Sequence, residues 1–112
     1  MKKINIVKEN KDFILAINNG KKVNSDLFYI HYIDNGLAKN RYGISVSKKI
    51  GNAVMRNKYK RRIKDIIDDI DINFNGKDII LIARPKIKTS DYTVIKDNLI
   101  KIMSKIGGNN EK

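Results

Sequence analysis

Residues 77 to 83, "KDIILIA", form a nearly continuous apolar run that Pro85 stops. A strand buried on one face alternates apolar with polar residues, whereas this run offers water no face at all. It is therefore the expected central strand of a sheet, and it needs cover on both sides. At 112 residues the chain has the length of one domain with one core. A domain of that size buries roughly 65% of its unfolded surface, enough to fold without a covalent staple.

The remaining elements can be placed around that strand. "NKDFILAINNG" has Phe13, Ile14 and Ile17 at helical spacing, Asn10 as candidate N-cap and Gly20 positioned to end the helix. "LFYIHYI" (27 to 33) is dense in aromatic and β-branched residues, and "RYGISVS" (41 to 47) alternates Tyr42, Ile44 and Val46 with small or polar partners. A turn beginning at Asp34-Asn35-Gly36 makes the two an expected antiparallel hairpin, preceded by a brief strand over 22 to 24. A long helix starts near Asn52. A last helix, capped by Thr89 or Ser90, carries Tyr92, Ile95, Leu99, Ile102, Met103 and Ile106 on one face and stops at Gly107-Gly108. This order of elements predicts an α+β sandwich, with helices packed on one mixed sheet. Residues 1–107 are expected to form a single domain and 108–112 a flexible tail.

Charge narrows the function. The formal net charge is +12, and no acid occurs between Asp34 and Asp65, where ten Lys and Arg residues lie. Such segregation implies a polyanionic partner, most commonly nucleic acid. A membrane surface is not favoured, since the basic segment lacks an opposing Leu/Phe/Trp-rich face. The absence of cysteine excludes disulfides and a thiolate metal site and favours the cytoplasm. There is neither a signal-type apolar run nor a stretch of about 18 apolar residues that could span a membrane.

On a helical wheel with Met55 at zero, Met55, Tyr59, Ile63, Ile66, Ile67 and Ile70 fall within roughly 0° to 120°, a core-facing stripe. Asn57, Lys60, Arg61 and Lys64 fall at roughly 140° to 240°, with Arg56 at the edge near 100° and Lys58 and Arg62 flanking the other side of the stripe. A face built only for solubility mixes signs, and this one does not. Ahead of the helix, Ser47, Lys48, Lys49, Ile50, Gly51 and Asn52 lead from a strand to a helix start, where free N–H groups favour phosphate. The loop lacks the glycine-lysine pattern of a nucleotide cradle, so a small-molecule phosphotransferase is not supported. The lone His31 has no cysteine partner, and Asp68, Asp69 and Asp71 read as a solvated helix end. No constellation for catalysis by the polypeptide itself is visible.

"GISVSKKIGNAVMRNKYKRRIK" closely resembles the signature of the bacterial ribonuclease P protein component, and the similarity runs from "DFILAINNG" through "IILIARP" to the last helix. The resemblance implies a two-layer α/β sandwich of about four mixed strands and three helices with a left-handed βαβ crossover, like the second domain of ribosomal protein S5. It implies an accessory subunit of an endonuclease that removes the 5′ leader of precursor tRNA. In such an enzyme the catalytic site and its Mg²⁺ belong to the RNA subunit, and the protein holds no cofactor tightly. The family's Arg-Asn-Arg motif maps onto Arg56, Asn57, Arg61 and Lys64, with Lys60 and Arg62 beside them. Lys64 stands where many relatives have Arg and Lys58 where Arg is frequent, which keeps charge but gives up bidentate geometry. The RNA subunit would meet this helix and the loop with Lys48, Lys49 and Asn52. The leader would lie in a cleft formed by the first helix and the sheet, lined by Phe13, Ile17, Tyr29 and His31. Ile17 replaces the family's second aromatic, and His31 stands where relatives often have Tyr. Apart from the resemblance, a general RNA-binding or ribosome-associated protein shares the charge and the sandwich. A DNA-binding regulator would need a helix-turn-helix, and the strand before Asn52 argues against one.

Overall fold

The computed structural model describes residues 4–108; Gly108, expected to begin the flexible tail, is still helical, and the rest of that expected tail, 109–112, lies outside the described residues. The apolar run is strand β5 (Lys77–Ala83), at the centre of a five-stranded sheet. The other strands are β1 (Asn5–Ile6), β2 (Lys21–Asn24), β3 (Phe28–Asp34) and β4 (Arg41–Ser45), and the helices are α1 (Asn10–Asn19), α2 (Ala53–Asp69) and α3 (Tyr92–Gly108). The sheet order is β1-β4-β5-β3-β2. Pairing is parallel for β1 with β4 and for β4 with β5, and antiparallel for β5 with β3 and for β3 with β2.

Alternation along β5 divides the molecule. Ile79 and Leu81 point to the side of α2 and α3 and share a core with Ile30, Tyr32, Tyr42, Ile63, Ile66, Ile95 and Leu99. Ile80 and Ile82 point the other way, into a smaller cluster with Val7, Ala16, Phe13 and Ile33. The helices thus cover both faces, α1 alone on one and α2 with α3 on the other.

The expected hairpin of β3 and β4 does not form, because β5 inserts between them and pairs with both. The loop after β3 is held to the start of β5 instead of closing a two-strand turn. Asn35 N–H donates to the Gly76 carbonyl at 2.8 Å, the Asn35 amide donates to Asp78 at 2.9 Å, and Asn40 accepts from Lys77 N–H at 3.0 Å. A central strand with two apolar faces gains more from two neighbours than β3 and β4 would gain from each other. β1, which the sequence pattern did not mark, adds the fifth strand.

The helix ends also differ from expectation. Asn10 is the first residue of α1, and Glu9 is the cap, through its carbonyl alone. Gly20 ends α1 without a left-handed turn. A Cβ there would lie 2.4 Å from the Ala16 carbonyl oxygen and 2.6 Å from that of Tyr32, so close backbone approach requires the glycine. Pro85–Thr89 forms a single turn of 3₁₀ helix, and the cap of α3 is Asp91, whose carboxylate accepts from Val94 N–H at 3.0 Å. Thr89 and Ser90 instead donate their hydroxyls to the Lys86 carbonyl. Tyr92, assigned to the buried stripe, is 43% exposed at the first residue of α3. Asn52, near which α2 was expected to start, caps the helix, accepting from Met55 N–H at 3.0 Å.

Asp78 is the one buried charged residue among those described, 3% exposed. Arg41 clamps it from β4 through Nε at 2.8 Å and a terminal nitrogen at 2.6 Å, and the same guanidinium reaches Asp12 of α1 at 3.5 Å. Burial pushes the Asp78 carboxyl upward, but hydrogen bonds from Arg41 and Asn35 outweigh it, and its pKa falls below the ordinary carboxylate value. Because the folded value is depressed, this stabilisation is present above the unfolded pKa of 3.8 and is lost as pH falls through the folded one. Asp78→Ala, which leaves Arg41 without its main partner, is expected to destabilise the fold by about 3 kcal/mol in urea unfolding near neutral pH. A loss under about 1 kcal/mol would show that the clamp contributes little.

Candidate nucleic-acid interface

The buried side chains of α2, Tyr59, Ile63, Ile66 and Ile67, pack it against the sheet and α3 and thereby aim the rest of the helix outward. Asn57, Lys58, Arg61 and Lys64 are exposed, while Arg56, Lys60 and Arg62 are half-buried along the flanks. Arg62 lies over the Tyr59 ring, 6.0 Å from its centroid. The Arg56 Nε is buried without a hydrogen-bond acceptor. Met55, assigned to the stripe, is 37% exposed. It packs toward Gly51, where a Cβ would come within 2.9 Å of the Met55 Cβ, so that glycine makes room for the helix itself.

Ahead of α2, Ile50 is buried, and its N–H donates to the Ser47 carbonyl at 3.0 Å. This anchored turn leaves Lys48 and Lys49 exposed beside the helix start. The Asn52 side-chain oxygen is taken up by the cap. Among the described residues none of Lys48, Lys49, Arg56, Lys58, Lys60, Arg61, Arg62 and Lys64 has an ion-pair partner. Five cations elsewhere are paired: Lys11 with Glu9, Arg41 with Asp78, Lys77 with Asp34, Lys86 with Asp26 and Lys96 with Asp69.

On the opposite face, α1 covers only part of the sheet. The Phe13 ring rests on Gly43, where a Cβ would come within 2.5 Å of it, and packs in the cluster with Ile80. Ile17 is exposed on α1. Tyr29, His31 and Ile33 alternate with the buried Phe28, Ile30 and Tyr32, so all three point to the α1 side. Across this face, His31 is flanked by Lys22 of β2 and Ile80 of β5, and Tyr29 by Asn24 and Ile82. The sequence reading missed Arg84, whose guanidinium lies 4.5 Å from the Tyr29 ring centroid. Its place directly before the strand-ending Pro85 was the available signal.

Both regions meet at one end of the sheet. β4 and β5 are parallel neighbours, so the loop that leaves β4 with Lys48 and Lys49 and the segment that leaves β5 with Arg84 emerge on the same edge. No helix is long and apolar enough to cross a membrane, and no group of acidic and histidine side chains could hold a metal ion, among the described residues. Asp69, from the acidic end of α2, is paired with Lys96 at 2.7 Å.

These features define a basic α+β protein that presents unneutralised cations and a partly open sheet face to a polyanion. The family model for ribonuclease P matches residues 1–107. The ribonuclease P protein component of Streptococcus agalactiae serotype Ia is 40% identical, covering 96% of this chain and 98% of the relative. That of Mycoplasma mycoides subsp. mycoides is also 40% identical, covering 95% and 99%. The solved RNase P protein of Staphylococcus aureus superposes with a TM-score of 0.81 at 37% identity, covering 94% of this chain and 96% of that one. The Thermotoga maritima protein gives 0.81 at 28% identity, covering 89% and 96%. The chain belongs to the ribonuclease P protein component family, whose members are part of the holoenzyme that processes tRNA 5′ ends.

Two outcomes follow from this geometry. Arg61→Ala and Lys64→Ala should lower RNA affinity with little change in thermal stability. Ile67→Ala should cost about 2 to 5 kcal/mol of stability, and unfolding by Arg61→Ala would overturn the assignment of faces. His31 is held below the ordinary imidazole pKa by burial and then by Lys22, and its Nδ1 has no partner. A depressed folded value means the unfolded state takes up more protons, so this contribution is complete above 6.5 and is lost as pH falls through the folded pKa. Unfolding followed from pH 7.5 downward should show a stability loss that His31→Phe flattens, before carboxylate titration begins near about pH 5.

Proposed function

We propose that the outward face of α2 (Arg56, Asn57, Lys60, Arg61 and Lys64), with Lys48, Lys49 and Asn52, binds the RNA subunit of ribonuclease P. The cleft beside α1, with Phe13, Ile17, Tyr29 and His31, holds the single-stranded 5′ leader of precursor tRNA. One observation carries this reading: among the described residues the eight cations between Lys48 and Lys64 have no ion-pair partner, and the sequence places no acid between Asp34 and Asp65 to supply one. Leaving like charges unneutralised on one helix is unfavourable for the isolated protein and is offset only when phosphates arrive.

On this reading a single RNA-binding domain over residues 1–107 carries both surfaces and works in the cytoplasm. Chemistry and Mg²⁺ belong to the RNA subunit, and the protein contributes affinity and alignment. Lysines and arginines that neutralise phosphates release condensed counterions, which lowers the Mg²⁺ needed to hold enzyme and substrate together. Phe13 packs against Gly43, so its contribution is to shape the wall of the cleft as much as to stack on a base.

Adding the protein to a bacterial ribonuclease P RNA at low Mg²⁺ should restore leader removal from a precursor tRNA. Affinity for that RNA should fall steeply with salt, with a log–log slope of about −4 or steeper if roughly five phosphates are contacted. A flat salt response, or binding without any gain in cleavage, would sink the proposal and leave a general RNA-binding protein.

A further inference from the structure

Past Lys64 the chain reverses its charge. From Asp65 to Gly76 it has four aspartates and no Lys or Arg, in a protein of net charge +12. Among the described residues only Asp69 of these four has an ion pair, with Lys96 of α3. The last turn of α2 carries no base, so the negative end of its dipole is reinforced by acids rather than opposed. This stretch borders a groove of about 400 Å³ between the end of α2 and α3, with Ile72, Phe74, Ile100 and Met103 as its floor and Asp69 and Asp71 on its rim. Its walls are fixed. The Asp69–Lys96 pair joins the two helices at 2.7 Å, and the Phe74 carbonyl accepts from the Asn40 amide at 2.8 Å. A Cβ on Gly107 would come within 3.0 Å of the Phe74 ring, so the ring is seated against the end of α3. Ile100 is nevertheless 45% exposed. A preformed groove with an apolar floor and few polar groups has the character of a binding site, and little freedom is lost when it is filled.

We propose that this groove docks a cationic segment of a partner protein, with one bulky apolar side chain on the floor and a flanking Lys or Arg against Asp69 and Asp71. Charge complementarity selects that occupant. A nucleic acid or an acidic segment would meet aspartates and the carbonyl end of a helix, and both would be drawn to the other end of α2 instead. The protein's overall positive charge does not forbid a cation here. At physiological salt the Debye length is about 8 Å, whereas α2, with seventeen residues, spans about 25 Å. Lys48 and Lys49 are therefore screened from the groove, and the local acids decide. Met103 adapts to the shape of an anchor, and the Phe74 ring accepts either an apolar group or a cation. The groove lies in the α2–α3 layer, across the sheet from α1 and at the opposite end of α2 from the Lys48–Lys49 loop. A partner seated there leaves both proposed RNA surfaces free.

The experiment titrates the full chain with capped pentapeptides and follows its backbone amide resonances. The probes are KKFKK, KKSKK, which lacks the anchor, and EEFEE, which reverses the charge. KKFKK should shift resonances of residues 69–74 and 96–104 and saturate with a Kd below about 1 mM, with KKSKK about tenfold weaker. EEFEE should leave those resonances unmoved. Ile100→Ser and Asp71→Lys, both at exposed positions, should each weaken KKFKK about fivefold or more. Both should unfold within a few degrees of wild type, and Ile100→Ser should support leader removal in reconstituted holoenzyme as wild type does. No shift in the groove with several millimolar KKFKK would overturn the proposal. Equal binding of KKFKK and KKSKK would reduce the site to counterions around aspartates, and equal binding of KKFKK and EEFEE would remove the role of charge; either result overturns it. So would concentration-dependent shifts of the same resonances without peptide, which would make a second copy of this chain the occupant.

Discussion

Strand β5 has no polar face, and the rest of the molecule is arranged around covering both of its sides. Ile79 and Leu81 need one layer of helices and Ile80 and Ile82 another. The two cannot be equal, because α2 and α3 have seventeen residues each and α1 only ten. Ten helical residues span about 15 Å, whereas five strands spaced at about 4.8 Å make a sheet roughly 19 Å wide. One face is therefore sealed, and the other is left with an open margin where Tyr29 and His31 lie. The proposed cleft is a consequence of that unequal cover.

The same constraint aims the basic helix. α2 connects β4 to β5, which are neighbours and parallel, so it must cross back over the sheet. Tyr59, Ile63, Ile66 and Ile67 can be buried only if Asn57, Arg61 and Lys64 face away. Repulsion among those cations would be relieved by a few interleaved acids, and the sequence places none between Asp34 and Asp65. Acids are used where the fold needs them instead. Asp78 closes β4 against β5 through Arg41, and the same guanidinium reaches α1 through Asp12. The unpaired cations of α2 and the ion pairs that brace the fold thus lie in separate places.

Much of this was legible from local pattern. The two-sided apolar run of β5, the stripe and approximate start of α2, the length of α3 and the brief strand over β2 all follow from residue patterns within a short stretch of chain. What failed depended on partners far along the chain. Adjacency in sequence favoured pairing β3 with β4, but Asn35 and Asn40 bind the start of β5 and carry the connection across it. Thr89 or Ser90 was the expected cap of α3, but the 3₁₀ turn gives both hydroxyls to the Lys86 carbonyl and Asp91 caps the helix instead. Gly20 looked like an ordinary helix terminator, and its reason proved to be the Tyr32 carbonyl on a neighbouring strand. Met55 and Tyr92 have the right helical phase for burial, but each lies in the first turn of its helix, and both are more than a third exposed.

By itself the sequence determined where the three helices and the four longer strands lie, that cations are segregated from acids, and, through its "SVSKKIGNAVMRN" signature, the family. These are local properties, set by side-chain period, by cap residues and by the order of charges along the chain. Only the tertiary structure decided that β5 separates β3 from β4, that α1 stands alone on its face, and that Arg84 lies over Tyr29. Each joins residues distant in sequence, and which apolar strands pair is settled by the burial of the whole sheet rather than by any single strand's preference.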